Sequence, residues 1–169
     1  MSWKIKKNIR YLEKSIADPK KGLPDDIFYF IGRMTPYVNV DLLIQSPIHG
    51  TLLTWREDLN TGSGWHIPGG IIRFKEKIKD RIFKVGITEI GINILKFKGP
   101  LEFSQLISHK KERSHFISLL YQCEITFSQL KEILRICKKN KGIKFFKKVP
   151  KKMLKLQVNY KKFIKKYNV

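Results

Sequence analysis

Residues 62–92 constrain this chain more than any other stretch. They read GSGWHIPGGIIRFKEKIKDRIFKVGITEIGI. A glycine-rich approach leads to Trp65 and then to Pro68, Gly69 and Gly70. A short run of β-type residues follows (Ile71, Ile72, Arg73, Phe74), and a helix-type run then ends at Gly91. Strand, glycine turn and helix in that order set backbone carbonyls beside a helix face. Hard divalent cations take oxygen ligands from carboxylates and backbone, so this geometry suits one.

At 169 residues the chain is long enough to bury a real core in one domain. Cys123 and Cys137 are its only cysteines, too few for a disulfide framework or a metal cluster. No apolar run approaches the roughly 20 residues that span a bilayer. The N-terminal lysines are not followed by an apolar core, so no secretory signal is expected and the reading is cytoplasmic. The net charge of +21 raises a nucleic-acid reading. The basic residues are overwhelmingly lysine, without the arginine and aromatic interleaving that phosphate and base readers use. A solvated basic surface is preferred, and it would still attract a diphosphate.

Residues 3–17 space Trp3, Ile5, Ile9, Leu12 and Ile16 as one helical face, a docking or dimer-contact helix. With the loop marked by Pro19, Gly22 and Pro24 they form an N-terminal basic helix and linker, residues 1–24, ahead of a single domain over residues 25–169. Asp25 predicts a helix N-cap, with a short helix stopping before Pro36. Residues 37–45 alternate and predict a strand, paired with residues 52–56. Asp41 is a lone carboxylate inside that apolar strand and needs a partner. Residues 77–90 predict a helix, in which Gly86 implies close packing of one turn. Strands follow at residues 93–97 and 101–108, around Gly99 and Pro100. A charged tip is expected at residues 109–113, a long strand at 115–125, a helix at 127–139, a short strand at 143–146 and a lysine-rich helical tail from Pro150 to Tyr167.

The central stretch resembles the Nudix box: glycine, five residues, glutamate, seven residues, then arginine, glutamate and an aliphatic residue, and after one more residue two glutamates, any residue and glycine. The matching positions are Gly70, Glu76, Lys84-Val85-Gly86, Thr88-Glu89 and Gly91-Ile92. Lysine replaces the usual arginine, and Val85 and Thr88 replace two metal-binding glutamates. This loss is similar to that of the GDP-mannose mannosyl hydrolase branch, as are Arg33-Met34-Thr35-Pro36, residues 38–44, residues 52–56 and residues 115–121. The resemblance covers roughly residues 25–125. It implies an α/β (α+β) fold, the Nudix-type α/β/α sandwich with a mixed β-sheet.

The resemblance also implies a site. Gly70, through its backbone, and Glu89 would hold Mg²⁺. Glu76 would pair with Lys84 and brace the loop that Gly91 ends. Arg56 would hold the diphosphate as a planar fork, and Asp41 would contact substrate. Arg73 and Arg33 are further substrate-contact candidates. The branch places a glutamine–histidine pair in a late loop, with histidine as general base. This chain has no such pair; Phe145, Phe146 and Gln157 occupy that region. Candidates for the base are His66, His109, His115 and Asp41. The implied reaction is Mg²⁺-dependent hydrolysis of a GDP-mannose-like nucleotide sugar by a homodimer, with water attacking the anomeric carbon and GDP leaving. The alternative is a Nudix-fold protein that binds a nucleotide sugar, or RNA, with little or no hydrolysis.

Overall fold

The computed structural model describes residues 2–58, 62–109 and 113–164. The middle of the expected charged tip and the last residues of the expected tail lie outside them. The elements in chain order are helices α1 (Trp3–Lys14) and α2 (Asp25–Gly32), strands β1 (Tyr37–Ser46), β2 (Gly50–Asp58), β3 (Gly62–His66) and β4 (Gly69–Ile71), helix α3 (Ile78–Val85), strands β5 (Lys96–Ile107) and β6 (His115–Glu124), helix α4 (Phe127–Lys139) and strand β7 (Ile143–Phe146). A π-helical turn, Gly86–Ile90, continues α3, and a 3₁₀ segment, Lys155–Phe163, closes the described chain.

The seven strands form one mixed sheet in the order β3-β2-β1-β6-β5, with β4 pairing β1 and β7 pairing β2. β1 and β6 run parallel, and the other pairs are antiparallel. β1 is central, and it is buried almost throughout. Side chains alternate between faces along a strand. Val40, Leu42 and Ile44 therefore share one face and pack with Ile82, Val85 and Ile133 of α3 and α4. Leu43 faces the other way, into a core with Leu53, Leu120 and Tyr160. Asn39 and Asp41 precede Leu43 on that second face.

The 3₁₀ segment covers the second face, which makes the layers α/β/α-like but with an irregular third layer. A regular helix was the expectation. Buried Leu154, Gln157 and Tyr160 recur every third residue, with Phe163 packed next in the series. A 3₁₀ helix has three residues per turn, so this spacing aligns them in a single stripe. Gln157 breaks the helix locally (φ −106°, ψ 21°), because its amide is committed to the backbone of Ile67.

Other boundaries moved for local reasons. Pro24, not Asp25, occupies the N-cap of α2; Asp25 and Asp26 sit in the first turn, where their charge complements the helix dipole. The two strands expected around Gly99 and Pro100 are one strand, β5, with a register shift between Lys98 and Glu102. Arg73 lies beyond β4, in the turn leading to α3. α4 begins with a full capping box between Thr126 and Gln129. Cys123 and Cys137 are free thiols. Among the described residues no helix is long and apolar enough to cross a membrane.

The expected helix over residues 77–90 changes character at Gly86. From there the bonds widen: the N–H of Gly91 donates to the carbonyl of Gly86 at 3.0 Å, and so does that of Ile92 at 3.1 Å. Gly91 then takes φ 88° and ends the turn. A Cβ at Gly86 would stand 2.7 Å from Ile94 Cγ1 and 2.8 Å from the Ile92 carbonyl oxygen. The close packing inferred from a glycine inside a helix is thus present. Gly86→Ala should destabilise the chain by about 1–3 kcal/mol, the usual cost of overpacking, and urea unfolding would measure it. An unchanged midpoint would contradict this packing.

Candidate functional site

β1 and β2 pair only beside their turn, at Gln45–Thr51 and Ser46–Gly50, while β4 joins β1 at Asn39–Asp41. Asp41 of β1, Arg56 of β2, Gly70 of β4 and Glu89 of the π turn all line one cavity of about 520 Å³. The cavity continues outward under Gly22 and Leu23 and past Phe28 of α2. Pro19, Gly22 and Leu23 of the linker after α1 therefore form part of its wall.

Asp41 is 1% exposed. Its Oδ1 accepts from Asn39 Nδ2 at 3.0 Å and from Gln157 Nε2 at 3.5 Å, and its Oδ2 accepts from the Ser118 hydroxyl. Tyr160 donates to Ser118 at 2.9 Å, so four side chains hold the carboxylate directly or through one relay. Burial pushes its pKa up to about 6, against the opposing pull of Ser118, Tyr160 and Arg56. The partner that sequence demanded for Asp41 is thus a polar network drawn from β1, β6 and the 3₁₀ segment.

Glu89 is half-buried. Burial raises its pKa, and the positive charge of Arg56 works the other way. Val85, four residues earlier and one turn away, is 2% exposed and belongs to the core. Its Cγ2 lies 2.7 Å from where a Cβ of Gly70 would be, so only glycine fits at that point of β4. Thr88 turns back onto its own helix, donating to the Lys84 carbonyl at 2.9 Å.

Glu76 braces the turn between β4 and α3. It accepts from the Arg73 N–H at 3.0 Å and from Lys84 Nζ at 2.9 Å. Arg81 adds a partner that sequence reading did not include: its Nε lies 2.7 Å and its Nη2 2.6 Å from Glu76 Oε2. Burial opposes the charge on Glu76, but the Arg73 N–H, Lys84 and Arg81 outweigh it and hold the pKa below the usual value. The guanidinium missing at position 84 is supplied from position 81, one turn earlier on α3. The signal was available as the three-residue spacing between Arg81 and Lys84, which puts both on one side of a helix.

Of the sequence candidates, the cavity gathers Asp41, Arg56, Gly70, Arg73 and Glu89, together with His66. His66 is buried, and its Nε2 lies 3.3 Å from Thr54 Oγ1. Arg33 is exposed at the end of α2 and is not among the lining residues. His115 opens β6, where its Nε2 lies 2.9 Å from Gln105 Nε2 on β5; it too is outside the lining, as is exposed His109. Asn39, Arg81 and Gln157 line the cavity without having been singled out as site residues.

The oxygen donors decide whether a resident Mg²⁺ fits. Among the described residues no three of His, Cys, Asp and Glu come together as a metal cluster. Both Asp41 oxygens already accept hydrogen bonds, Val85 presents a methyl, and Thr88 is spent on its helix. Glu89 and the Gly70 backbone remain. Mg²⁺ takes near-octahedral oxygen coordination, so an ion at these two oxygens would draw most of its shell from water and substrate phosphates rather than from the protein.

No family model matches the chain. The low-salt glycan biosynthesis protein Agl8 of Haloferax volcanii is similar, at 33% identity over 83 residues that cover 48% of this chain and 53% of Agl8. The chain thus spans about half the length of the curated relative it matches. Among solved structures, NrtR of Shewanella oneidensis superposes with a TM-score of 0.51 at 15% identity, covering 64% of this chain and 50% of NrtR. The Nudix domain of the same NrtR, solved with ADP ribose, aligns with a TM-score of 0.44 at 16% identity over 60% of this chain and 77% of that one. A MutT Nudix hydrolase from Burkholderia pseudomallei aligns with a TM-score of 0.49 at 20% identity over 54% of this chain and 68% of its own. At these identities the likeness is one of fold, and the mixed sheet flanked by helices in this chain follows the fold of NrtR.

Proposed function

We propose that this chain hydrolyses a nucleotide sugar at the sugar carbon, releasing a nucleoside diphosphate and the free sugar. One observation carries the reading: an arginine-lined cavity with the buried carboxylate of Asp41 and, among the described residues, no cluster of metal-binding acids. Attack at phosphorus needs strong neutralisation of the phosphoryl oxygens, which metal ions commonly supply. Departure of an intact diphosphate from the anomeric carbon needs chiefly stabilisation of the leaving charge, and a fixed guanidinium provides that. Arg56 has this role. The similarity to a glycan biosynthesis protein supports a sugar-bearing substrate.

Asp41 is the general base in this reading. An acid with a pKa of about 6 is ionised at neutral pH and still basic enough to take a proton from water. Arg73 lies at the outer part of the same cavity and would contact the substrate there. A binding role without turnover has one observation in its favour: both oxygens of Asp41 are already held by donors.

Three measurements test the proposal. Incubation with GDP-mannose or GDP-glucose should give free sugar and GDP by anion-exchange chromatography; GMP with sugar phosphate would mean attack at phosphorus. The value of kcat/KM should fall as pH drops through about 6, because a base must be unprotonated to act, and Asp41→Asn should abolish turnover. A profile flat across that region would remove Asp41 as the base. Arg56→Ala should weaken GDP binding about tenfold or more, as loss of a charge-assisted hydrogen bond implies, and unchanged affinity in calorimetry would take it out of the site.

A further inference from the structure

We propose that this site holds a nucleoside diphosphate through guanidinium groups alone, with Arg81 acting beside Arg56 as an anion-binding residue, so that binding requires no divalent cation. This rests on the nucleotide-sugar reading and names how the site neutralises the diphosphate.

The two box positions that would bring further acids are chemically closed. Val85 sets a methyl against Gly70, and the Thr88 hydroxyl is turned into its own helix. Four arginines line the cavity, Arg56, Arg73, Arg81 and Arg113, against the carboxylates of Asp25, Asp41 and Glu89. One of those three, Asp41, is engaged by neighbouring donors on both oxygens. The balance of the lining is cationic, the arrangement that recognises an anion directly.

Arg81 is built for that task. Only 8% of it is exposed, and its Nε donates to Glu76 Oε2 while Nη2 stands 2.6 Å from the same oxygen as an ion pair. The remaining nitrogen, Nη1, lies toward Gly70, 3.9 Å from where a Cβ would stand. The absence of a side chain at Gly70 leaves that edge beside the cavity wall. Lys84 also pairs with Glu76, so the brace of one carboxylate and two cations keeps a net positive charge. A planar guanidinium already locked by one carboxylate loses little freedom when it takes a phosphate oxygen on its other edge.

The test is calorimetry of the whole chain with GDP and with inorganic pyrophosphate, each in Mg²⁺ and in EDTA, for wild type, Arg81→Lys and Glu89→Gln. Wild-type affinities for GDP should agree within about threefold between the two buffers, since arginine–phosphate bonding needs no metal. Glu89→Gln should bind GDP as tightly or more tightly, because it removes a negative charge from an anion site. Arg81→Lys, which keeps a charge beside Glu76, should weaken GDP about tenfold through loss of the Nη1 donor; thermal unfolding would check that it folds. A tenfold or greater loss in EDTA, or on Glu89→Gln, would show a metal held by Glu89; it would overturn this inference and leave the nucleotide-sugar reading standing. Full affinity in Arg81→Lys would confine Arg81 to the brace. Pyrophosphate binding in EDTA without GDP binding would keep the anion site and defeat the nucleotide reading, and binding of neither would defeat both.

Discussion

A carboxylate buried in the central strand is the constraint around which this structure is arranged. Asp41 cannot remain in an apolar interior without donors, because desolvating an unpaired charge costs far more than one packing contact returns. The donors come from three places: Asn39 two residues away, Ser118 on the parallel strand β6, and Gln157 on the 3₁₀ segment. Satisfying one side chain thus ties strands β1 and β6 to a segment 116 residues distant. Gln157 reinforces the tie by bonding both backbone groups of Ile67, in the turn between β3 and β4. Trp65 of β3 exchanges backbone hydrogen bonds with the approach to the 3₁₀ segment, donating to the Lys152 carbonyl and accepting from Leu154. The second face of the sheet is closed by these bonds as much as by apolar packing.

The other face shows how a motif can keep its geometry while its chemistry shifts. Gly70 and Gly86 are both places where backbone meets neighbours too closely for a Cβ. Gly70 holds the turn before α3 against Val85 and Arg81, and Gly86 holds the π turn against Ile92 and Ile94 of the segment before β5. Glu89 lies on the widened π turn, within electrostatic reach of Arg56; such bulges often occur where a helix serves a site. With the backbone frame fixed, Val85 could be spent on the core. The brace on Glu76 survives by redistribution: Arg81 supplies the fork from the buried side and Lys84 supplies charge from the solvent side.

Helix α1 stands apart from this economy. It has no buried residue, and Trp3 and Tyr11 are largely exposed. Its one-face repeat predicted a helix correctly, but periodicity cannot say what, if anything, lies against the face. The linker after it is different, since Gly22 lies against the guanidinium of Arg73 and shares the outer cavity wall.

The sequence by itself determined the strand and helix order, the placement of the glycine-rich turn and the need of Asp41 for a partner. These follow from local rules: alternation, helical spacing, turn residues and the cost of a buried charge. Asp41, Arg56, Arg73 and Glu89, which the resemblance singled out, all line a single cavity. Tertiary structure alone decided that His115 and Arg33 lie outside that cavity, because the direction of a side chain at a strand or helix end depends on what packs there. It also decided which residues meet Asp41, since hydrogen bonds between positions so far apart in the chain leave no local periodicity. The change from α-helix to 3₁₀ helix near the end has the same origin. A repeat of three is weak in the sequence and prevails only when the sheet offers a groove for the stripe of Leu154, Gln157 and Tyr160.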